Sequence, residues 1–448
     1  MMLSKLSLKN YKSFKSLDEL DLRKLTIIVG RNSCGKSSIL QSLLLLKQTL
    51  ESKVNAPLII QGPHLTYSGL QDISFGKPQV NHAKIGYTFE TLDAYGDRVT
   101  CSFDIGNKKV GENYQPSVSS LYIEKEDAKM HLDKKPSDGK IEEFISKVFK
   151  TKKNEKLDYE YKGIRFDAFI PEAYIYDIKF NNGVTHEFDI PYQAIHSPIN
   201  MIPINRLKDT ISRIKYLSPV RANPTRDYIN YASNPNELDQ DGTNAAHILW
   251  AKKKDTVKWK KEEFDLIDAL SECLNCMGLS QKITPEKVGE IIYRVELSER
   301  NASSNVSLAD VGFGYSQILP VILLGLLSRK GDTVLLEQPE IHLHPSSAAN
   351  LADLFLGFIK DDKKFMVETH SPELINRLRL RVIENPELKN DINIVFVEST
   401  EGEGSKVKQF EIDENGMFPE WPDGFIDESK KIADAIINAR LAKGEDEW

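Results

Sequence analysis

Gly30-Arg31-Asn32-Ser33-Cys34-Gly35-Lys36-Ser37 follows the apolar run Leu25-Thr26-Ile27-Ile28-Val29 and precedes Ser38-Ile39-Leu40-Gln41-Ser42-Leu43-Leu44. The run before it reads as a buried strand. The residues after it have helical length and an apolar face. The octet between them fits G-x-x-x-x-G-K-[ST], and each residue type there has a task. Glycines let backbone N–H groups close around phosphate oxygens. The helix N-terminus adds partial positive charge. Lys36 brings an ammonium to the outer phosphates, and Ser37 brings a hydroxyl to Mg²⁺. Gly30, Asn32, Ser33, Gly35, Lys36, Ser37 and Ser38 are therefore the expected cradle for ATP, with Mg²⁺ beside it. The bland alternative is a chance loop, and the strand-loop-helix context argues against it. Cys34 reads as a small loop residue.

The chain has 448 residues, enough for about three domain-sized units. Its formal net charge of -7 leaves no overall basic field to drive it onto nucleic acid or acidic lipid. The longest apolar run, Ile318 to Leu327, falls well short of the roughly 18 residues needed to span a bilayer. The N-terminus carries lysines but no apolar core of a secretory signal. Four cysteines in a chain this long do not make a disulfide framework, so a reducing, cytoplasmic location is expected.

The expected fold is α/β, in five consecutive segments. An ATPase lobe with the phosphate loop covers 1–105, beginning with an alternating strand-turn pattern at its N-terminus. An inserted region of strands and loops covers 106–215, and a mainly helical region covers 216–305, with 243–280 read as mostly helical. A second lobe covers 306–400. A tail covers 401–448 and holds the aromatic turn Phe418-Pro419-Glu420-Trp421-Pro422-Asp423-Gly424-Phe425.

The second lobe carries three motifs in order. Asp310-Val311-Gly312-Phe313-Gly314-Tyr315-Ser316-Gln317 opens an apolar helical run, a second N-terminus suited to phosphate. A tight turn before a core helix is the bland reading. Val334-Leu335-Leu336-Glu337 reads as a strand delivering a metal-side carboxylate, followed by Gln338-Pro339-Glu340-Ile341-His342-Leu343-His344-Pro345. Phe365-Met366-Val367-Glu368-Thr369-His370-Ser371 places a histidine at the end of another strand. A lone histidine is more often structural, but the motif order favours a switch touching the γ-phosphate.

These motifs, with Asn10-Tyr11-Lys12-Ser13-Phe14 near the N-terminus, resemble the ATPase head of the ATP-binding-cassette class, in its branch of RecF- and SMC-like and overcoming-lysogeny-like proteins. The chain resembles in particular the prokaryotic AAA family ATPases of anti-phage defence, of the Septu type, which work with an HNH nuclease. The match lies at both ends; the middle, about 110 to 300, carries only Tyr216-Leu217-Ser218-Pro219-Val220-Arg221-Ala222-Asn223-Pro224. The resemblance implies an ABC-type P-loop fold with an insertion. It places Asn10, Lys12 and Ser13 beside the nucleotide and Gly312, Gly314, Ser316 and Gln317 as a signature offered in trans. It makes Glu337 a magnesium-side carboxylate, His370 the switch, and either Gln61 or Gln71 the glutamine of the loop between lobes. It also implies a homo-oligomer with composite ATP sites and a separate nuclease effector.

Gln338 departs from the pattern. A glutamate is expected there to polarise the attacking water, and that assistance is worth about 10²–10⁴ in rate. Glutamine has the shape without the basicity, and similar defence ATPases carry it too. Glu340 lies two residues on, with Pro339 bending the chain between. The expectation is a weak ATPase that holds ATP as a switch.

Three further signals have bland readings. The lysines of Lys252 to Lys261, around Trp259, offer DNA contacts, though a charge run is usually a solvated face. Lys147 to Lys156 is a second such cluster. Cys273 and Cys276 share a helix face and read as core. His342 and His344 have a chelating spacing, but Pro345 after them reads as a helix start. A stand-alone repair-type ATPase acting on DNA ends is the alternative function. A fused nuclease is not expected, because few residues follow His370 and no D-x-D cluster occurs among them. A transporter subunit is disfavoured by the long insertion.

Overall fold

The structure is a computed structural model. It describes residues 3–92, 97–125, 128–149, 158–179, 183–196, 198–229, 237–279, 282–298, 305–311, 313–400 and 402–418, together with 432 and 435–439. The chain divides into two compact units, Met1–Asp21 with Ser38–Ile214, and Leu22–Ser37 with Lys215–Trp448. Both units are discontinuous, whereas the five segments read from the sequence are consecutive.

The first unit is built on antiparallel strands. Its six-stranded sheet runs in the order Phe14–Asp21, Lys5–Tyr11, Lys84–Leu92, Arg98–Val110, Asn113–Lys125, Ala128–His131. Leu6, Leu8 and Tyr11 of the first hairpin point inward, the alternation of a half-buried strand. Stacked rings fill the core, with Tyr87 on Phe103 at 5.2 Å and Phe103 on Phe169 at 4.7 Å. A three-stranded sheet, Thr185–Pro191, Ile170–Lys179 and Asp158–Asp167, completes the strand-rich insertion.

The second unit holds a six-stranded sheet in the order Ile214–Leu217, Thr333–Glu337, Lys364–Glu368, Leu25–Gly30, Ile392–Thr400, Gly404–Phe410. The four strands from Thr333–Glu337 to Ile392–Thr400 pair in parallel, and the last strand runs antiparallel. Their near-continuous apolar runs are what burial on both faces demands. Helices Phe313–Leu327, Pro345–Ile359 and Pro372–Glu384 contribute Ile322, Leu351, Phe355, Leu374 and Leu378 to that core. Because the strands run in parallel, the loops at their C-terminal ends share one edge, and that edge carries Gly30, Glu337 and Glu368.

The span 243–280, expected to be mostly helical, holds among its described residues two helices separated by a hairpin. Ala245–Lys252 and Leu266–Cys276 flank strands Thr256–Trp259 and Glu262–Asp265. Val257 and Trp259 alternate inward with a period of two. Lys260 and Lys261 supply a two-residue turn with φ of 54° and 73°, the positive values a tight hairpin uses. In the tail, Phe418 is buried against Phe410, ring centroids 6.1 Å apart. Trp421 and Phe425 lie outside the described residues.

Candidate functional site

The loop Gly30–Ser37 takes its shape from positions that only glycine or a strained residue fills. Gly30 has φ +145°, and a Cβ there would stand 2.2 Å from the carbonyl oxygen of Val397. Gly35 has φ +101° and Ser33 φ +61°. Lys36 Nζ donates to the carbonyls of Gly30 at 3.2 Å and Arg31 at 2.7 Å, so it lies folded over the loop. Asn32 and Ser33 are exposed, and Ser38 is buried in the helix Lys36–Glu51 that the loop opens. Ser405 Oγ donates to the Cys34 carbonyl at 2.6 Å and pins the back of the loop. Burial pushes the Cys34 thiol up, as for an inert packing residue.

Glu337 ends its strand only 7% exposed, and the Tyr216 hydroxyl donates to its Oε1 at 2.8 Å. Gln338 has φ +45°, and its N–H donates to the Glu368 carbonyl at 2.7 Å. The buried Arg221 guanidinium donates from Nη2 to the carbonyls of Glu337 at 3.2 Å and Gln338 at 3.5 Å. Its Nε and Nη1 have no hydrogen-bond partner, and burial pulls the group down to about 10. The turn after Pro339 aims Glu340 back at the site. Glu340 Oε1 accepts the His370 N–H at 2.7 Å, while the buried Oε2 has no partner. Burial raises the Glu340 carboxyl above its ordinary value, against the hydrogen bonds from His370 and Thr369 and the charge of Arg221. Burial, and then the Lys36 charge, lower the His370 imidazole, so its neutral form is favoured at neutral pH.

Glu368 ends the strand between the loop strand and the Glu337 strand. Burial raises the Glu368 carboxyl, the nearby Ser37 hydroxyl and Lys36 charge oppose that rise, and its Oε2 is buried without a partner. Among the described residues, no three His, Cys, Asp or Glu side chains converge as a metal cage. A magnesium that travels with nucleotide does not need one, because it keeps waters and phosphate oxygens and takes one or two carboxylates. The Ser37 hydroxyl, Glu337 and the unpartnered oxygen of Glu368 fit such an ion.

The structure thus brings Gly30–Ser37, Glu337, Gln338, Glu340 and His370 to one edge of one sheet. Sequence reasoning missed Tyr216, Arg221, Thr369 and Glu368. All four lie in stretches whose motifs stood out, Tyr216 to Pro224 and Glu368 to Ser371, but no role attached to their side chains. Asn10, Lys12 and Ser13 belong to the first unit. Asn10 and Lys12 have φ of 53° and 49°, Lys12 hydrogen-bonds Gln41 and sits 4.7 Å from the Tyr67 ring centroid, and Ser13 Oγ is buried without a partner. Gln61 is exposed and donates to the Tyr67 carbonyl at 3.3 Å; Gln71 is half-buried in the short helix Leu70–Ile73. Gly312 lies outside the described residues. Gly314 sits in the first turn of its helix, where a Cβ would be 3.3 Å from the His342 carbonyl, and Ser316 and Gln317 are buried. His344 caps the helix that Pro345 opens.

The description AAA ATPase domain matches residues 1–375. The chain belongs to the AAA ATPase domain family. Residues 389–435 of this AAA ATPase match a second family, Protein of unknown function (DUF3696). No curated protein matches it. Among solved structures, it is similar to an SMC head bound to the C-winged helix domain of ScpA, at 12% identity, covering 92% of this chain and 98% of that one, with a TM-score of 0.45. It is also similar to the SMC head domain from Thermotoga maritima, at 10% identity, 92% and 100% coverage and a TM-score of 0.42. A third is the Smc head with an extended coiled coil bound to the C-terminal domain of ScpA, derived from Pyrococcus furiosus, at 12% identity, 97% and 99% coverage and a TM-score of 0.44. The fold of this AAA ATPase is mixed α/β, with the glycine loop set on a parallel strand of one sheet and a separate antiparallel-strand unit in the same chain. The family implies ATP and Mg²⁺ as ligands. Among the described residues, no helix is long and apolar enough to cross a membrane.

The lysines of the hairpin line a cleft of about 600 Å³ at the other end of the parallel strands. Lys258 and Lys261 meet Arg329 and Lys330, from the loop before Thr333, and Lys360 from the end of the preceding helix, with Asp361 and Asp362 among them. Trp259 takes no part in that surface. It is 3% exposed and packs edge-on to Phe358 at 5.0 Å.

Proposed function

We propose that this AAA ATPase binds ATP with Mg²⁺, hydrolyses it slowly, and uses the bound nucleotide to assemble and gate a separate effector. Gln338 carries the reading. It follows the metal-side Glu337, on a turn held by Arg221 and the Glu368 strand, where a water-polarising carboxylate would stand. Glutamine can orient a water but cannot take its proton. Gly30, Asn32, Ser33, Gly35, Lys36, Ser37 and Ser38 hold the phosphates, and Ser37 and Glu337 face the magnesium. His370 contacts the γ-phosphate, with Glu340 fixing its backbone. Asn10, Lys12 and Ser13 lie beside the nucleotide, and Gly314, Ser316, Gln317 and Gly312 meet the nucleotide of a second copy. The homo-oligomer so formed is the state that engages the effector. The motif set resembles that of Septu-type defence ATPases, which supports an HNH nuclease in anti-phage defence as that effector. The test is mixing the purified chain with the candidate nuclease, with and without ATP. ATP-dependent complex formation supports the reading, and association indifferent to nucleotide contradicts it.

The basic cleft favours a second reading, a repair-type ATPase that acts on DNA directly. Seven cations line the cleft against three aspartates, a balance that suits phosphate neutralisation. In that case Lys258→Glu, Lys261→Glu and Lys360→Glu combined lower both duplex affinity and its salt dependence. Unchanged binding would remove DNA from the account.

A further inference from the structure

We propose that Glu368 is a second carboxylate for the magnesium of bound ATP, and that it makes nucleotide binding depend on that ion. The proposal rests on the reading of Gly30–Ser37 as an ATP site. Position is the first support. Glu368 pairs in register with Glu337 on one side, and its strand pairs with the loop strand on the other, at Ile28. In-register neighbours on adjacent strands point to the same face. Glu368 therefore projects beside Glu337, one strand nearer the loop.

Its contacts are the second support. The Ser37 hydroxyl, placed to face the metal, lies near one carboxylate oxygen. The other is buried and has no donor. A buried carboxylate oxygen without a partner is costly, and such atoms mark places that a ligand completes. The nearby ammonium of Lys36 is spent on the carbonyls of Gly30 and Arg31. Glu340 adds repulsion rather than relief, since its charge disfavours a second anion at Glu368.

Glu337 and Glu368 thus stand at the ends of two adjacent strands, facing the place where a triphosphate would dock. Without a divalent ion, the phosphates meet carboxylates with only Lys36 between them. With it, Glu368 and Glu337 become outer ligands, most simply through metal-bound water. The bland reading is that Glu368 merely orients the Ser37 hydroxyl, and it predicts no effect on metal-free binding.

The experiment is equilibrium binding of a fluorescent ATP analogue to the full chain, in excess Mg²⁺ and in EDTA. Glu368→Gln keeps the shape and removes the charge. The ratio of affinities with and without Mg²⁺ should fall at least ~10-fold, a typical effect of losing a metal's outer partner, with part of the change coming from tighter metal-free binding. Glu368→Asp keeps the charge but shortens the arm. It should weaken magnesium-supported binding and leave metal-free binding as in wild type. Should the glutamine variant fail to fold, as judged by circular dichroism, the aspartate variant decides alone. A ratio unchanged by these substitutions, in a wild-type protein that binds ATP, overturns the proposal and leaves the ATP site standing. A wild-type protein that binds no ATP in either condition overturns the ATP site and this proposal with it.

Discussion

The backbone N–H of His370 donates to Glu340 Oε1 at 2.7 Å, which ties the expected phosphate switch to the acid two residues past Gln338. The neighbouring Thr369 hydroxyl and the buried charge of Arg221 favour the same carboxylate. Glu340 is thus fastened to the switch segment from behind. That placement suits a residue that positions His370 better than one that attacks water.

Glu340 has a signature in stability. Burial is the largest influence on its carboxyl and raises it above the unfolded value of 4.5. The folded state therefore binds this proton more tightly than the unfolded state does. The stabilisation is fully present below about pH 4.5 and is lost as pH rises through the folded value. Glu340→Gln can still accept the His370 N–H but carries no charge to bury. Melting curves at pH 7–8 should show the variant more stable than wild type, with the difference shrinking towards pH 4.5. Parallel profiles for the two proteins would contradict the burial argument.

Trp259 separates core from surface in the lysine hairpin. It is packed against Phe358, and a Cβ at Gly357 would lie 2.2 Å from its ring. Trp259→Ala should cost about 3–5 kcal/mol in chemical unfolding, as for a buried aromatic. A stability near wild type, together with weaker single-stranded DNA binding, would mean the ring is used for stacking instead.

The helix that begins at Phe313 predicts assembly. If its N-terminus serves a neighbour's nucleotide, ATP with Mg²⁺ should produce a dimer or a higher even-numbered oligomer at micromolar concentration. Light scattering after chromatography reads this directly. A monomer that persists with bound nucleotide would remove the composite site.

Much of the sheet was legible in the sequence because its signals are local. A strand, a glycine loop and a helix follow one another from Leu25 to Glu51, and each strand bearing Glu337 or Glu368 is a short apolar run closed by a polar residue. The hairpin at Thr256–Asp265 was hidden because a lysine-lysine turn carries none of the asparagine or glycine that usually marks positive φ. The roles of Tyr216, Arg221 and Glu368 were hidden for another reason. Tyr216 meets Glu337 across more than a hundred residues, and Glu368 meets Ser37 only because two distant strands are neighbours. Pairings of that kind belong to the topology, and no spacing announces them.

Gln338 offers the most direct measurement, single-turnover ATP hydrolysis by wild type, Gln338→Glu and Glu340→Gln at saturating nucleotide and Mg²⁺. Gln338→Glu returns a base to the water-facing position with little change of shape. It should hydrolyse ATP at least ~10-fold faster than wild type, the low end of general-base assistance. Glu340→Gln, which keeps its contact with His370, should stay within a few-fold of wild type. No gain from Gln338→Glu, together with abolished turnover in Glu340→Gln, would make Glu340 the base and the protein an ordinary ATPase rather than a slow switch.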